Sequence, residues 1–127
     1  MSYKNILLID DDSDDAELFM EAVESLQKEV VCQTENNALK AIEELKTTEN
    51  LPDLVFVDFS MPAINGAEFI QKVKSEERLR NLPIILMSSH TVEVLRQLTQ
   101  NSEGVQYMTK PNSFQDLVTQ LDSVLNK

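Results

Sequence analysis

The sequence predicts a doubly wound α/β domain in which five parallel strands alternate with five helices. Three observations carry this. Short apolar runs recur along the chain, segments of helical rhythm separate them, and three of the runs are apolar without interruption. A strand covered by helices on both faces is apolar throughout, whereas a strand with one wet face alternates.

The first run, residues 5–10 (NILLID), is one of the uninterrupted three. A helix follows, with Phe19, Ala22, Val23 and Leu26 at i, i+3, i+4 and i+7. Ser13 reads as its N-cap, and Asp14 and Asp15 fall in its first turn, where the helix dipole favours acids. Residues 29–34 (EVVCQT) form the second strand, and Ala38, Ala41, Ile42 and Leu45 repeat the helical spacing. The third run, residues 53–58 (DLVFVD), leads to a shorter stripe of Ile70 and Val73; Gly66 before it reads as a turn residue. The fourth run is residues 83–88 (PIILMS), and the helix after it, residues 91–100, is the weakest, with Val92, Leu95 and Leu98 as its apolar row. The fifth, residues 104–108 (GVQYM), precedes the clearest stripe: Phe114, Leu117, Val118, Leu121 and Leu125. The (βα)5 pattern suits the flavodoxin-like strand order 2-1-3-4-5, an assignment by analogy of fold.

Composition narrows the function. At 127 residues the chain is expected to form one domain, residues 1–127, and no output domain is visible in it. A formal charge of −11, from 22 acidic and 11 basic residues, argues against direct binding of nucleic acid or anionic lipid. The single cysteine, Cys32, forms no internal disulfide and is expected to be a buried structural thiol. No secretory leader is visible and no apolar run approaches the roughly 18 residues of a membrane span, so a cytoplasmic location is expected.

Ligands of open α/β sheets bind beyond the carboxyl ends of the strands. Asp10-Asp11-Asp12 follow the first strand, Asp58 then Phe59-Ser60-Met61-Pro62 the third, Ser88-Ser89-His90 the fourth, and Thr109-Lys110-Pro111 the fifth. The carboxylates of the first and third strands would crowd, each raising its neighbour's pKa unless a cation intervened. Mg²⁺ suits such a set, because it takes oxygen ligands, few carboxylates and a phosphate oxygen. One aspartate can then act as a nucleophile towards phosphorus, with the metal and a lysine neutralising the transferring group.

These residues resemble the receiver domains of two-component response regulators, the CheY-like family. The acidic pair Asp10-Asp11, the D-x-x-M-P-x-x-x-G motif from Asp58 to Gly66, Ser88 at the Thr/Ser position, and Lys110-Pro111 after Tyr107 match in order and interval. The resemblance runs from about Asn5 to the last helix. It implies that Asp58 is the phosphoacceptor and that Asp11, Asp58 and the Ser60 backbone carbonyl ligate Mg²⁺, with Asp10 acting through a water. It further implies that Lys110 and the Ser88 hydroxyl hold phosphoryl oxygens, and that Tyr107 is a switch aromatic turning from exposed to buried. Ser60 and His90 would flank the attacking water, and the Lys110-Pro111 bond would be cis. The donor would be a histidine kinase or a histidine phosphotransfer protein. A downstream partner or a second copy of the chain would read the fourth helix, fifth strand and last helix.

The domain would be a signalling switch, not an enzyme on an external substrate. Two other classes fit less well. A haloacid dehalogenase-type phosphatase needs a second aspartate two positions after the nucleophile, where this chain has Ser60. A pseudo-receiver that only binds partners usually lacks part of the acidic pair, the acceptor or the lysine. Read singly, each residue has a plainer role: the Asp run as a solvated loop, Lys110 as a surface lysine, Tyr107 as core, His90 as a solvated loop residue.

Overall fold

A computed structural model describes residues 3–99 and 104–126. Its elements are β1 (Asn5–Ile9), α1 (Ser13–Ser25), β2 (Val31–Glu35), α2 (Ala38–Thr47), β3 (Leu54–Asp58), α3 (Gly66–Ser75), β4 (Ile84–Ser88), α4 (Val92–Leu98), β5 (Val105–Thr109) and α5 (Phe114–Leu125). All strands pair in parallel, in the expected order β2-β1-β3-β4-β5. β3 and β4 are buried at every position, as their unbroken apolar runs require. β2 lies at the edge and starts later than expected. The Val30 N–H donates to the Lys28 carbonyl at 2.8 Å, so pairing begins only at Val31. Cys32 is half-buried, and burial pushes its thiol up to about 11.

The two-residue period of the strands divides the core. Ile6, Leu8, Phe56, Met87 and Met108 pack with Phe19, Ala22 and Val23 of α1 and Leu121 and Leu125 of α5. Ile9, Val55, Val57 and Leu86 pack with α2, α3 and Leu95 of α4 on the other face. Burial of each Val, Leu, Ile, Phe or Met among them favours folding by roughly 1.5–3 kcal/mol.

Local signals differ from the sequence reading at four places. Asp12, not Ser13, caps α1: its Oδ1 accepts from the N–H of Asp14 at 2.9 Å and of Asp15 at 3.1 Å. Either side chain can cap, but a carboxylate adds charge at the positive end of the dipole. α4 buries only Leu95; Leu98 is 46% exposed, and Gln100 lies outside the described residues. α3 carries an Asn65–Glu68 capping box that the shorter stripe did not reveal. Gly66 is no turn residue but the first residue of α3. A Cβ there would sit 2.5 Å from Leu86 Cδ1 and 3.0 Å from Phe59 Cα. The turn lies earlier, at Ala63 (φ 72°), where the Ile64 N–H donates to the Pro62 carbonyl at 2.9 Å in a γ-turn. Gly66 N–H closes the loop onto the Phe59 carbonyl at 2.7 Å.

Candidate functional site

The alternation that divides the core also sorts the strand tips. Asp10, Asp58 and Lys110 continue the rows of Leu8, Phe56 and Met108, on the α1/α5 face. Ser88 continues the row of Leu86 on the opposite face, which Tyr107 shares. Because β1 and β3 are neighbours, the carboxylates of Asp10, Asp11 and Asp58 converge, with one ligand oxygen of each within 4.8 Å of the others. Asp10 and Asp58 are buried and Asp11 is exposed.

Electrostatics follow from that placement. Burial above all raises Asp10 to about 6; the charges of Asp58 and Asp15 add to this, while the Asp12 N–H, 3.0 Å from Asp10 Oδ1, and Lys110 oppose it. Burial likewise raises Asp58, helped by Asp11 and opposed by Lys110 and by a hydrogen bond from the Ser60 backbone. Lys110 Nζ lies 3.3 Å from Asp58 Oδ1 and 3.3 Å from Asp15 Oδ2. Burial disfavours its charge, but Asp58, Asp10 and Asp15 together outweigh burial and raise its pKa.

The Lys110-Pro111 bond is trans, contrary to the expected cis isomer. The Lys110 N–H donates to the Ser88 carbonyl at 2.7 Å, and the ammonium reaches Asp58 from there. The trans form, favoured by about 0.5–1 kcal/mol at X-Pro bonds, therefore meets the geometric need. Ser88 is buried, and its Oγ accepts the His90 N–H at 3.1 Å. His90 is exposed, its ring edge-on to Phe59 at 6.0 Å. Tyr107 stands at neither extreme expected of it: it is half-buried, its hydroxyl 2.8 Å from Thr99 Oγ1, with the Arg96 guanidinium 5.8 Å from its ring centre.

The site thus gathers Asp10, Asp11, Asp58 and Lys110, with Ser60 beside Asp58 and Ser88 on the neighbouring strand. Tyr107 is one strand further out. The sequence reading missed Asp15, which looks like an ordinary first-turn acid until the fold brings Lys110 to it. The donor set is all oxygen, as a hard divalent cation requires, and its crowded carboxylates are the ones such a charge would relieve.

Known proteins carry the same arrangement of chain. The sensor histidine kinase CheAY of Helicobacter pylori is 32% identical over 114 residues, 90% of this chain and 14% of that protein. Hybrid signal transduction histidine kinase D of Dictyostelium discoideum is 32% identical over 123 residues, 96% of this chain but 8% of its own length. The chain therefore spans a small part of these two relatives. The phosphorylated cyanobacterial phytochrome response regulator RcpA shares the fold, with a TM-score of 0.84 at 22% identity over 97% of this chain and 91% of that one. The model of the response regulator receiver domain matches residues 6–122, from β1 into α5 and across every strand tip that bears a site residue, and the chain belongs to that family.

Proposed function

We propose that residues 1–127 form one receiver domain that switches a signalling pathway by accepting a phosphoryl group on Asp58. The observation that carries the reading is the meeting of three carboxylates and one ammonium at the tips of β1, β3 and β5. Asp58 Oδ attacks phosphorus, the P–N bond to a phosphohistidine donor breaks, and the imidazole nitrogen keeps the electron pair. Asp11, Asp58 and the Ser60 backbone carbonyl would hold Mg²⁺, with Asp10 through a water, and the bound cation would offset the negative charge that builds on the transferring group. Lys110, whose ammonium already lies 3.3 Å from Asp58 Oδ1, pairs with a phosphoryl oxygen. The Ser88 Oγ already accepts from His90, which leaves its own proton to donate to another phosphoryl oxygen. Ser60 and His90 border the approach of the hydrolytic water and set the lifetime of the acyl phosphate.

The phosphodonor is a histidine kinase or a histidine phosphotransfer protein in the cytoplasm, and the domain assists only its own phosphorylation and dephosphorylation. Tyr107 is the switch aromatic. Its hydroxyl bond to Thr99 at the end of α4 supports this, because movement of Tyr107 must disturb α4. The face of α4, β5 and α5 then meets the downstream partner or a second copy of the chain. No helix among the described residues is long and apolar enough to cross a membrane.

Incubation with acetyl phosphate and Mg²⁺ tests the acceptor. Intact-mass spectrometry should show one added phosphoryl group, absent in Asp58→Ala. Asp11→Ala should keep the fold and lose Mg²⁺ affinity. Undiminished labelling of Asp58→Ala would defeat the assignment.

A further inference from the structure

We infer that Asp15 is a positioning residue that competes with the phosphoryl group for Lys110 and so holds down the phosphorylated state. The inference rests on reading Asp58 as the phosphoacceptor and concerns the regulation of that same site. Its basis is that Lys110 Nζ is shared, 3.3 Å from Asp58 Oδ1 and 3.3 Å from Asp15 Oδ2. The two carboxylates are not equivalent. The Asp58 side chain is 9% exposed and lies inside the rim; that of Asp15 is 46% exposed and lies outside it. Asp15 is also fixed at its root, since its N–H donates to the capping carboxylate of Asp12 at 3.1 Å. The ammonium therefore bridges the first turn of α1 to the tip of β3.

Phosphorylation of Asp58 replaces a carboxylate of charge −1 by a phosphoryl group carrying roughly −1.5 to −2 charges, and sets three acceptor oxygens beside that ammonium. Two effects of Asp15 then act in one direction. Its carboxylate draws Lys110 outward, away from the phosphoryl oxygens, and its charge repels theirs. Both act on the bare Asp58 carboxylate as well but weigh more against the larger phosphoryl charge, so both favour the unphosphorylated protein. Asp15→Asn keeps the side chain's shape and removes both effects.

The probe is beryllofluoride, a mimic of the acyl phosphate, titrated calorimetrically into the whole chain with saturating Mg²⁺. Asp15→Asn should bind it about two- to fivefold more tightly than the parent, the range given by a partly exposed ion pair. The gain should shrink in high salt and be smaller in a Lys110→Met background, where only the charge repulsion remains. A purely structural role for Asp15 would give the same change with or without Lys110. Equal or weaker binding by Asp15→Asn, or a gain undiminished in Lys110→Met, would overturn the inference while leaving Asp58 in place. Beryllofluoride binding that persists in Asp58→Ala would instead remove the acceptor assignment, and this inference with it.

Discussion

At single residues, the loop that follows Asp58 holds two backbone constraints of different kind. Gly66 is needed for space. The Phe59 Cα that a new Cβ would meet at 3.0 Å is main chain and cannot swing aside, so Gly66→Ala should lower unfolding stability by about 1–3 kcal/mol in urea titrations. Ala63 is the reverse case, a residue with a Cβ at φ 72°. Relief of about 1–2 kcal/mol of left-handed strain, less about 0.4–1 kcal/mol for a freer unfolded chain, gives Ala63→Gly a net gain of roughly 0.5–1 kcal/mol. An Ala63→Gly protein that unfolds at lower urea than the parent would contradict this. The sequence marked Gly66 as special but for the wrong reason, because the close approach of Phe59 and of Leu86 in β4 cannot be read from neighbours in the chain. Asp10, Asp11, Asp58 and Lys110 were legible as site residues because strand ends can be read from apolar runs. Asp15 was not, because its partner is 95 positions away and its local setting already explained it.

Among the elements, β1 is anchored by a carboxylate that no motif advertised. Asp53 Oδ2 accepts the N–H groups of Lys4 and Asn5, each at 2.8 Å, and the Asp53 N–H returns a bond of 2.7 Å to the Asn5 carbonyl. The two N–H donors hold the Asp53 carboxyl below the ordinary carboxylate range. A folded-state pKa depressed in this way stabilises the fold above the unfolded value, about 3.9, and the contribution disappears as pH falls through the folded pKa. Asp53→Asn should therefore unfold more easily at pH 7, by about 1 kcal/mol for bonds at an exposed site, and the deficit should be smaller at pH 3. An equal deficit at both pH values would exclude the charged clamp. The elements themselves were legible to the extent that they are buried. β3 and β4, covered on both faces, came out at nearly their full extent; the edge strand β2 shifted and α4 lost two of its three expected core contacts, because partial exposure weakens the pattern that periodicity reads.

For the whole molecule, assembling the tips of β1 and β3 gathers charge that the fold would be more stable without. The carboxyl of Asp10 rises from 3.8 to about 6, chiefly through burial. Here the folded-state pKa lies above the unfolded one, so the ionised group opposes folding above pH 6, and the opposition fades as pH falls from 6 towards 4. In the presence of EDTA, Asp10→Asn should raise the unfolding free energy at pH 7.5, on the order of 1–3 kcal/mol, and do so much less at pH 4.5. Destabilisation at pH 7.5 would show that Asp10 supports the fold. The strand order sets when this opposition is relieved. Lys110 meets Asp15 across 95 positions, and Lys28 meets Asn126 across 98. During synthesis Phe19 can pack on Phe56 of β3 early, but the α1 side of the core stays incomplete until Leu121 and Leu125 of α5 have left the ribosome. Contacts this distant in sequence form late, after their loop-closure entropy has been overcome. The ammonium follows β5 and so joins the carboxylates late as well; the full charge cluster of the strand tips belongs only to a chain folded through its fifth strand.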